Sequence, residues 1–173
     1  METSSDQNDL ASLSFNNPTC GNLDGSELID ELASYVNDAP QKSYLLTVGT
    51  DSCHVDGRAS IVSVIAVQRV GHGGRYFWRR FYDEEFPSLR QRIYREATLS
   101  LKLASRLNGA LEQCLDRLPT PFNYNLQIHV DIGHSGPTGD MMNEIVGMIR
   151  GSGYEVRTKP EAYCAAVVAD RYA

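Results

Sequence analysis

The sequence predicts an α/β domain whose mixed five-stranded sheet carries helices on both faces. Three β-prone segments follow one another without an intervening helix, and two later strands alternate with helical segments. In those helical segments apolar residues recur every three or four positions, which is typical of amphipathic helices. The element order is βββαβαβα. A meander followed by right-handed crossovers gives a mixed sheet with three parallel strands.

The beginning of the chain differs in charge from the rest. The first 38 residues hold eight acidic residues and no Lys or Arg, whereas the remainder carries 16 basic and 14 acidic residues. The net charge of −6 therefore conceals a body with a net charge of +2. Residues 1–23 are rich in Ser, Asn and Asp, which favours a disordered acidic tail. We expect the folded domain to span residues 24–173, beginning with a helix that Asp24 and Glu27 open as a capping box.

Three strands and a long helix follow. Residues 43–50, 59–70 and 75–82 are apolar and β-prone, and glycine-containing turns separate them, so we expect consecutive antiparallel strands. Ser88 and Gln91 form a capping pattern at the start of a long helix, whose apolar residues repeat along one side. These elements supply the meander and the first crossover.

The remaining residues alternate strands with helices. Residues 124–132 predict a fourth, central strand, and the helix after it closes at Gly151. Residues 154–157 predict a fifth strand, and Thr158 with Glu161 gives a capping pattern for a last helix. The first, fourth and fifth strands are then parallel, so their carboxyl ends share one edge of the sheet.

Two aspartates lie at that edge. Asp51 ends the first strand and Asp131 ends the fourth, and ligands of open α/β sheets bind outside these strand ends. Two like charges side by side destabilise a fold unless a cation neutralises them, and hard oxygen ligands suit Mg²⁺ or Mn²⁺. Two such ions can drive phosphodiester hydrolysis. Alternatively, each aspartate caps a neighbouring turn.

Two further carboxylates are candidates for the same site. Glu96 lies about two turns into the long helix, where it can border the buried face, although neighbouring arginines could equally neutralise it at the surface. Glu161 is in the first turn of the last helix, whereas Asp170 lies nine residues further on, about 14 Å along a helix. We therefore predict Asp51, Glu96, Asp131 and Glu161 as metal-binding and catalytic residues.

A basic region over residues 69–106 opposes the acidic beginning of the chain. From this region we predict four arginines that hold a nucleic-acid backbone, namely Arg79, Arg80, Arg92 and Arg95. The aromatic Trp78 could stack on bases, although aromatic residues at strand spacing are often core. A solvated arginine face is an equally good explanation of the charge.

Several classes of protein are disfavoured by the sequence. No apolar run is long enough to span a membrane. The four cysteines are far apart and form no C-x-x-C pair, which favours reduced thiols in a cytoplasmic protein. The glycine-rich loop over residues 133–139 lacks the Lys-Ser/Thr ending of a nucleotide-binding Walker A loop.

Several motifs occur in an order known from one family. They are residues 43–52 (SYLLTVGTDS), 64–70 (VIAVQRV), 128–133 (IHVDIG) and 144–173. Over about residues 26–173 the sequence resembles the YkuK family of ribonuclease H-like proteins. The resemblance implies a ribonuclease H-like fold. Through that superfamily it also implies a metal-dependent nuclease for RNA, RNA–DNA hybrid or branched DNA.

The resemblance also bears on individual residues. Asp51 matches the first-strand aspartate of the superfamily, Asp131 its fourth-strand acid and Glu96 its helix glutamate. Glu161 is similar in position to the acid near the start of the last helix in YqgF-type and resolvase proteins, but it is Glu rather than Asp. The step after the first aspartate is Asp51-Ser52 instead of Asp-Gly. The alternative to a nuclease is a non-catalytic nucleic-acid-binding or adaptor module with the same fold.

Overall fold

The computed structural model describes residues 9–115, 117 and 122–173. Within these residues seven strands form one sheet, and their bounds are β1 (Ser14–Asn17), β2 (Gly21–Asp24), β3 (Ser43–Val55), β4 (Arg58–Arg69), β5 (Gly74–Glu84), β6 (Asn123–His129) and β7 (Glu155–Arg157). Three α-helices accompany them: α1 (Gly25–Asn37), α2 (Leu89–Leu115) and α3 (Met142–Gly151). Short helical turns cover Leu10–Ser12 and Gly139–Met141. The last helical segment comprises a π-type turn, Cys164–Ala169, and a 3₁₀ turn, Asp170–Tyr172.

The sheet is mixed, with the strand order β2-β1-β5-β4-β3-β6-β7. Strand β3 runs parallel to β6, and β6 runs parallel to β7, whereas all other neighbours are antiparallel. The predicted α/β class, the meander β3-β4-β5 and the three parallel strands are therefore confirmed. The predicted number of five strands is wrong, because β1 and β2 extend the sheet at the edge of β5.

The two faces of the sheet are covered unequally. Helices α1, α2 and α3 pack on one face over a core of aliphatic and aromatic side chains. The last helical segment lies on the other face, where Cys164 and Ala169 pack against Val62 and Val64 of β4. Helices on both faces were predicted, and the second face is covered by one short segment.

The disordered acidic tail predicted over residues 1–23 is wrong for residues 9–23, and residues 1–8 lie outside the described part of the chain. The hairpin β1-β2 buries Phe15 completely, together with Leu10 and Leu23, in the core beneath the helices. Asn17 holds the hairpin turn, because its Oδ1 accepts hydrogen bonds from the Thr19 and Cys20 N–H groups. The domain therefore begins earlier than residue 24. The prediction missed this hairpin because its few apolar residues lie in a segment of polar composition.

The last helix also differs from the prediction. Asp24 and Glu27 form the expected capping box of α1, but Thr158 and Glu161 do not cap a helix. The Lys159 N–H donates to the Ile132 carbonyl at 2.8 Å, which prolongs the parallel contact between the chains that follow β6 and β7. Residues 158–161 therefore form a turn, and the helical segment begins only after it.

The structure bears on two exclusions drawn from the sequence. Within the described residues, no helix combines the length and hydrophobicity that crossing a bilayer requires. All four cysteines carry free thiols, as predicted.

Replacing Phe15 by alanine should lower the free energy of unfolding by about 3 to 4 kcal/mol, because a fully buried aromatic ring leaves a cavity. Chemical denaturation measures this change. Thr19→Ala, at an exposed position in the turn of the same hairpin, is the control and should change the free energy by less than about 0.5 kcal/mol. Equal stability of Phe15→Ala and wild type would mean that the hairpin is not part of the core.

Candidate active site

Asp51 lies on β3, and Asp131 lies two residues beyond the end of the neighbouring parallel strand β6, which is shorter than the predicted strand over residues 124–132. Gly49 of β3 is in register with His129 of β6, and each aspartate follows its member of this pair by two residues. Strand β3 continues past Asp51 to Val55, so Asp51 is a buried strand residue rather than the predicted strand end. The negative charge of Asp131 acts on both Asp51 and Arg92. The structure therefore brings the two predicted aspartates to one site.

Glu96 joins this site from helix α2. Its side chain is buried, with 4% of the residue exposed. Its Oε1 accepts a hydrogen bond from the Ser52 hydroxyl at 2.6 Å and another from Arg92 Nε at 3.0 Å. Since Ser52 directly follows Asp51, the helix glutamate is fixed to the strand that carries the first aspartate. Glu96 therefore borders the buried face of α2, which is one of the two positions that the sequence allowed.

Each of these three carboxylates has a cationic neighbour. The Arg92 guanidinium lies 3.0 Å from Glu96 and 3.5 Å from Asp51 Oδ1, while 40% of its side chain is exposed. Lys159, in the turn after β7, places its Nζ 3.0 Å from Asp131 Oδ1. This Oδ1 is shielded from solvent. The Lys159 ammonium is therefore the charge partner of an oxygen that bulk water does not reach.

Asp170, rather than Glu161, is the acid of the last segment that acts on the site. The charge of Asp170 raises the pKa of Asp51. Its neighbour Ala169 packs in the same cluster as Val62, which is the register partner of Asp51 on β4. Glu161 is exposed in the turn before the helical segment. The distance argument from the sequence assumed a straight α-helix from residue 158, whereas residues 158–161 form a turn.

The site holds more negative charge than its cations offset. Burial raises the pKa of Asp51 to about 6, a rise that the Ser52 N–H and Arg92 oppose and that Asp131 and Asp170 reinforce. Burial likewise raises the pKa of Glu96 to about 7, opposed by hydrogen bonds from Ser52 and Arg92 and reinforced by Asp51. Both carboxylates are thus easier to protonate than carboxylates in water.

The chemistry of these donors fits Mg²⁺ or Mn²⁺. All the acids offer hard oxygen atoms, and Asp131 Oδ1 is shielded from bulk water. In the described residues, no three His, Cys, Asp or Glu side chains already stand close enough together to ligate one ion. Arg92 lies between Asp51 and Glu96, so a cation that binds both must displace its guanidinium.

The four predicted nucleic-acid-binding arginines do not form one surface. Arg79 and Arg80 alternate along β5 and so point to opposite faces of the sheet. Arg80 donates from Nε to the Tyr172 carbonyl at 2.8 Å, and Arg95 pairs with Asp83 at 2.7 Å. Burial lowers the pKa of Arg79. Arg92 alone of the four contacts the carboxylates, so the structure divides the predicted basic region among separate surfaces.

Two contributors to the site were not foreseen from the sequence. Ser52 was noted only as a departure from an Asp-Gly step, yet its hydroxyl fixes Glu96. Lys159 carried no signal, because its contact with Asp131 depends on the turn that replaces the predicted helix start. Asp170 was weighed and set aside for Glu161.

Glu96→Gln should gain stability relative to wild type as the pH rises. The pKa of Glu96 is raised from an ordinary 4.5 to about 7 in the folded protein. The stability that this group contributes is therefore complete below pH 4.5 and is lost as the pH rises through about 7. Between pH 4.5 and 8 the difference in free energy of unfolding between variant and wild type should grow by up to about 3 kcal/mol.

Urea denaturation in a metal chelator measures this difference. Glu112→Gln, exposed on the same helix, is the matched control, and its difference from wild type should change by less than about 0.5 kcal/mol over the same range. A Glu96→Gln difference that does not vary with pH would show that the Glu96 carboxyl is not held in a desolvated environment.

Comparisons with known proteins agree with this architecture. A family model described as "Ribonuclease H-like" matches residues 27–173. The protein named "Uncharacterized protein YkuK" from Bacillus subtilis (strain 168) is 30% identical over 156 residues, which cover 84% of this chain and 88% of that protein. No solved structure matches the chain. From the sheet order, the family model and this relative, the chain belongs to the YkuK family of ribonuclease H-like proteins.

Proposed function

We propose that this protein is a nuclease that uses Mg²⁺ or Mn²⁺ to hydrolyse phosphodiester bonds in RNA, RNA–DNA hybrid or branched DNA. The observation that carries the proposal is the convergence of Asp51, Glu96 and Asp131 from three distant segments at one partly buried site. Their burial leaves negative charge that Arg92 and Lys159 do not offset. A structural role alone would not require this much buried carboxylate charge.

The metal-binding residues proposed are Asp51 and Asp131 from the sheet and Glu96 from α2. For the fourth acid we propose Asp170 in place of Glu161, because Asp170 acts electrostatically on Asp51. A bound Mg²⁺ or Mn²⁺ ion would polarise the phosphate and lower the pKa of a water molecule. Ser52 orients Glu96 by donating its hydroxyl proton to Oε1.

Arg92 and Lys159 have a second role in this proposal. Both side chains are partly exposed beside the carboxylates, with 40% and 53% of their surface accessible. With a metal ion bound to the acids, Arg92 and Lys159 would be free to contact a phosphate on the solvent side of the site. A guanidinium can there bind a phosphate through two hydrogen bonds. Arg95, one turn along α2 from Arg92, would have to leave its ion pair with Asp83 to extend the contact to the nucleic-acid backbone.

The same ion pairs support a second candidate function. Arg92 and Lys159 already contact the carboxylates that would hold a metal ion. A protein that retained these pairs permanently would be a non-catalytic nucleic-acid-binding or adaptor module. Its binding would weaken with salt and would not require divalent metal, whereas the nuclease requires it.

Asp51→Asn should abolish Mn²⁺-dependent cleavage of labelled RNA, hybrid or four-way-junction substrates, with a loss of more than roughly 100-fold because a ligand itself is removed. Asp56→Asn, an exposed residue of the β3-β4 turn, is the matched control and should cleave like wild type. Cleavage by Asp51→Asn would indicate a contaminating nuclease. No cleavage by folded wild type, with salt-sensitive binding that Arg92→Ala weakens, would favour the binding module.

Calorimetric titration with Mn²⁺ should separate the two candidates for the fourth acid. We expect Asp170→Asn to weaken Mn²⁺ binding by about 10-fold or more, because its charge acts on Asp51. Glu161→Gln should bind within about twofold of wild type, since Glu161 is not among the charged groups that act on Asp51. The reverse pattern would restore Glu161 as the fourth acid.

A further inference from the structure

The last helical segment is fastened to the sheet by one aromatic residue. The ring of Tyr172 stacks on Trp78 with centroids 4.3 Å apart and planes 11° from parallel. Its hydroxyl lies 2.7 Å from the Tyr76 hydroxyl, and its carbonyl accepts a hydrogen bond from Arg80 Nε at 2.8 Å. We call these four residues, Tyr76, Trp78, Arg80 and Tyr172, the clasp.

The alternation of β5 produces one side of the clasp. Tyr76, Trp78 and Arg80 are every second residue of the strand, so all three point to the sheet face opposite α2. Their face is covered, among the described residues, by the last helical segment. Tyr172 supplies both a ring and a hydroxyl to these partners, which accounts for the stacked and hydrogen-bonded geometry. The Trp78 face predicted to stack on bases is therefore occupied by Tyr172.

The other end of the segment has its own anchor. Cys164 is fully buried, and its N–H donates to Nδ1 of the buried His129 at 3.3 Å. Burial lowers the pKa of His129 to about 4, so this acceptor nitrogen stays unprotonated near neutral pH. Between the two anchors Val167 is 64% exposed, whereas Ala169 is buried. The residues after Ala169 are held to β5 by the clasp.

Asp170 lies between these anchors and next to the candidate active site. It precedes Tyr172 by two residues in the same 3₁₀ turn, Asp170–Tyr172. The residue before it, Ala169, is buried against β4 in a cluster that contains Val62, the register partner of Asp51. Fastening Tyr172 to β5 and Ala169 to β4 fixes the short turn that carries the Asp170 carboxylate.

We propose that the clasp positions Asp170 for metal binding, so that docking of Tyr172 and affinity for a divalent cation are coupled. This inference rests on the proposed function, because it takes Asp170 as a metal-binding acid. Coupling of this kind is reciprocal: loss of docking weakens metal binding, and bound metal favours the docked segment. Tyr172 is accordingly a positioning residue that acts through Asp170.

Calorimetry with Mn²⁺ on the full chain tests the coupling through a double-mutant cycle. Tyr172→Ala should weaken Mn²⁺ binding about 10-fold, the scale expected when support for a ligand is lost. Tyr172→Phe keeps the stacked ring and should stay within about twofold of wild type. In the Asp170→Asn background, Tyr172→Ala should cause no further loss, because both changes act through one carboxylate.

Trp78 reports docking independently, since it is the one tryptophan of the chain. Acrylamide quenching of its fluorescence should increase in Tyr172→Ala and stay unchanged in Asp170→Asn, which leaves the stack in place. If Tyr172→Ala does not fold, Arg80→Ala replaces it. That variant removes the hydrogen bond to the Tyr172 carbonyl and should show a smaller loss of Mn²⁺ affinity with the same non-additivity.

The outcomes separate this inference from the proposed function. Wild-type affinity in Tyr172→Ala, despite increased quenching of Trp78, would overturn the positioning role and leave the metal site intact. An equal loss of affinity in the wild-type and Asp170→Asn backgrounds would also overturn it, since the tyrosine would then act through another group. No Mn²⁺ binding by wild type would overturn the proposed function and the coupling together.

Discussion

Burial of carboxylates beside the central parallel strands is the constraint on which the rest of the site depends. Asp51 and Glu96 are almost withdrawn from water, so each charged carboxylate costs free energy unless a positive charge compensates it. Hydrogen bonds and ion pairs around the carboxylates offset part of that cost. Ser52 and the Arg92 guanidinium hydrogen-bond Glu96, while Lys159 approaches Asp131. The raised pKa values show that this compensation is incomplete.

The fold creates this constraint through the topology of its central strands. Parallel pairing of β3 with β6 sets Asp51 and Asp131 at matching positions beyond Gly49 and His129, and α2 then crosses over the strand end that carries Ser52. The final segment approaches from the opposite face, held by His129 at one end and by the clasp at the other. Acids separated by up to about 120 positions in the sequence therefore meet only after the whole sheet has formed.

The sequence predicted this arrangement where the signal was local and periodic. The apolar, β-prone strand segments, the capping box of Asp24 and Glu27, and the two aspartates after apolar strands could be recognised directly. They predicted the α/β class with its parallel strands. The hairpin around Phe15 was missed because one buried aromatic residue in a Ser/Asn-rich segment does not change its composition. Seven strands therefore form where five were predicted.

The start of the last helix was predicted wrongly for a different reason. Thr158 and Glu161 match a capping pattern, but a hydrogen bond from Lys159 N–H to the Ile132 carbonyl competes with helix initiation there. The accepting carbonyl lies 27 residues earlier in the chain, so no local sequence pattern predicts this hydrogen bond. The turn that replaces the predicted helix start also places Lys159 beside Asp131. The helical segment begins later than predicted, and the charge of Asp170 then acts on Asp51. Contacts between distant segments decide this part of the site.

The number of protons released on Mn²⁺ binding tests the central claim most directly. If the ion binds to Asp51 and Glu96, whose pKa values are about 6 and about 7, it must displace the protons that these groups still hold. Calorimetry in buffers of different ionisation enthalpy should then show release of about one proton at pH 6.5, falling toward zero at pH 8.5. Binding of Mn²⁺ without any pH-dependent proton release would place the ion elsewhere and contradict the account.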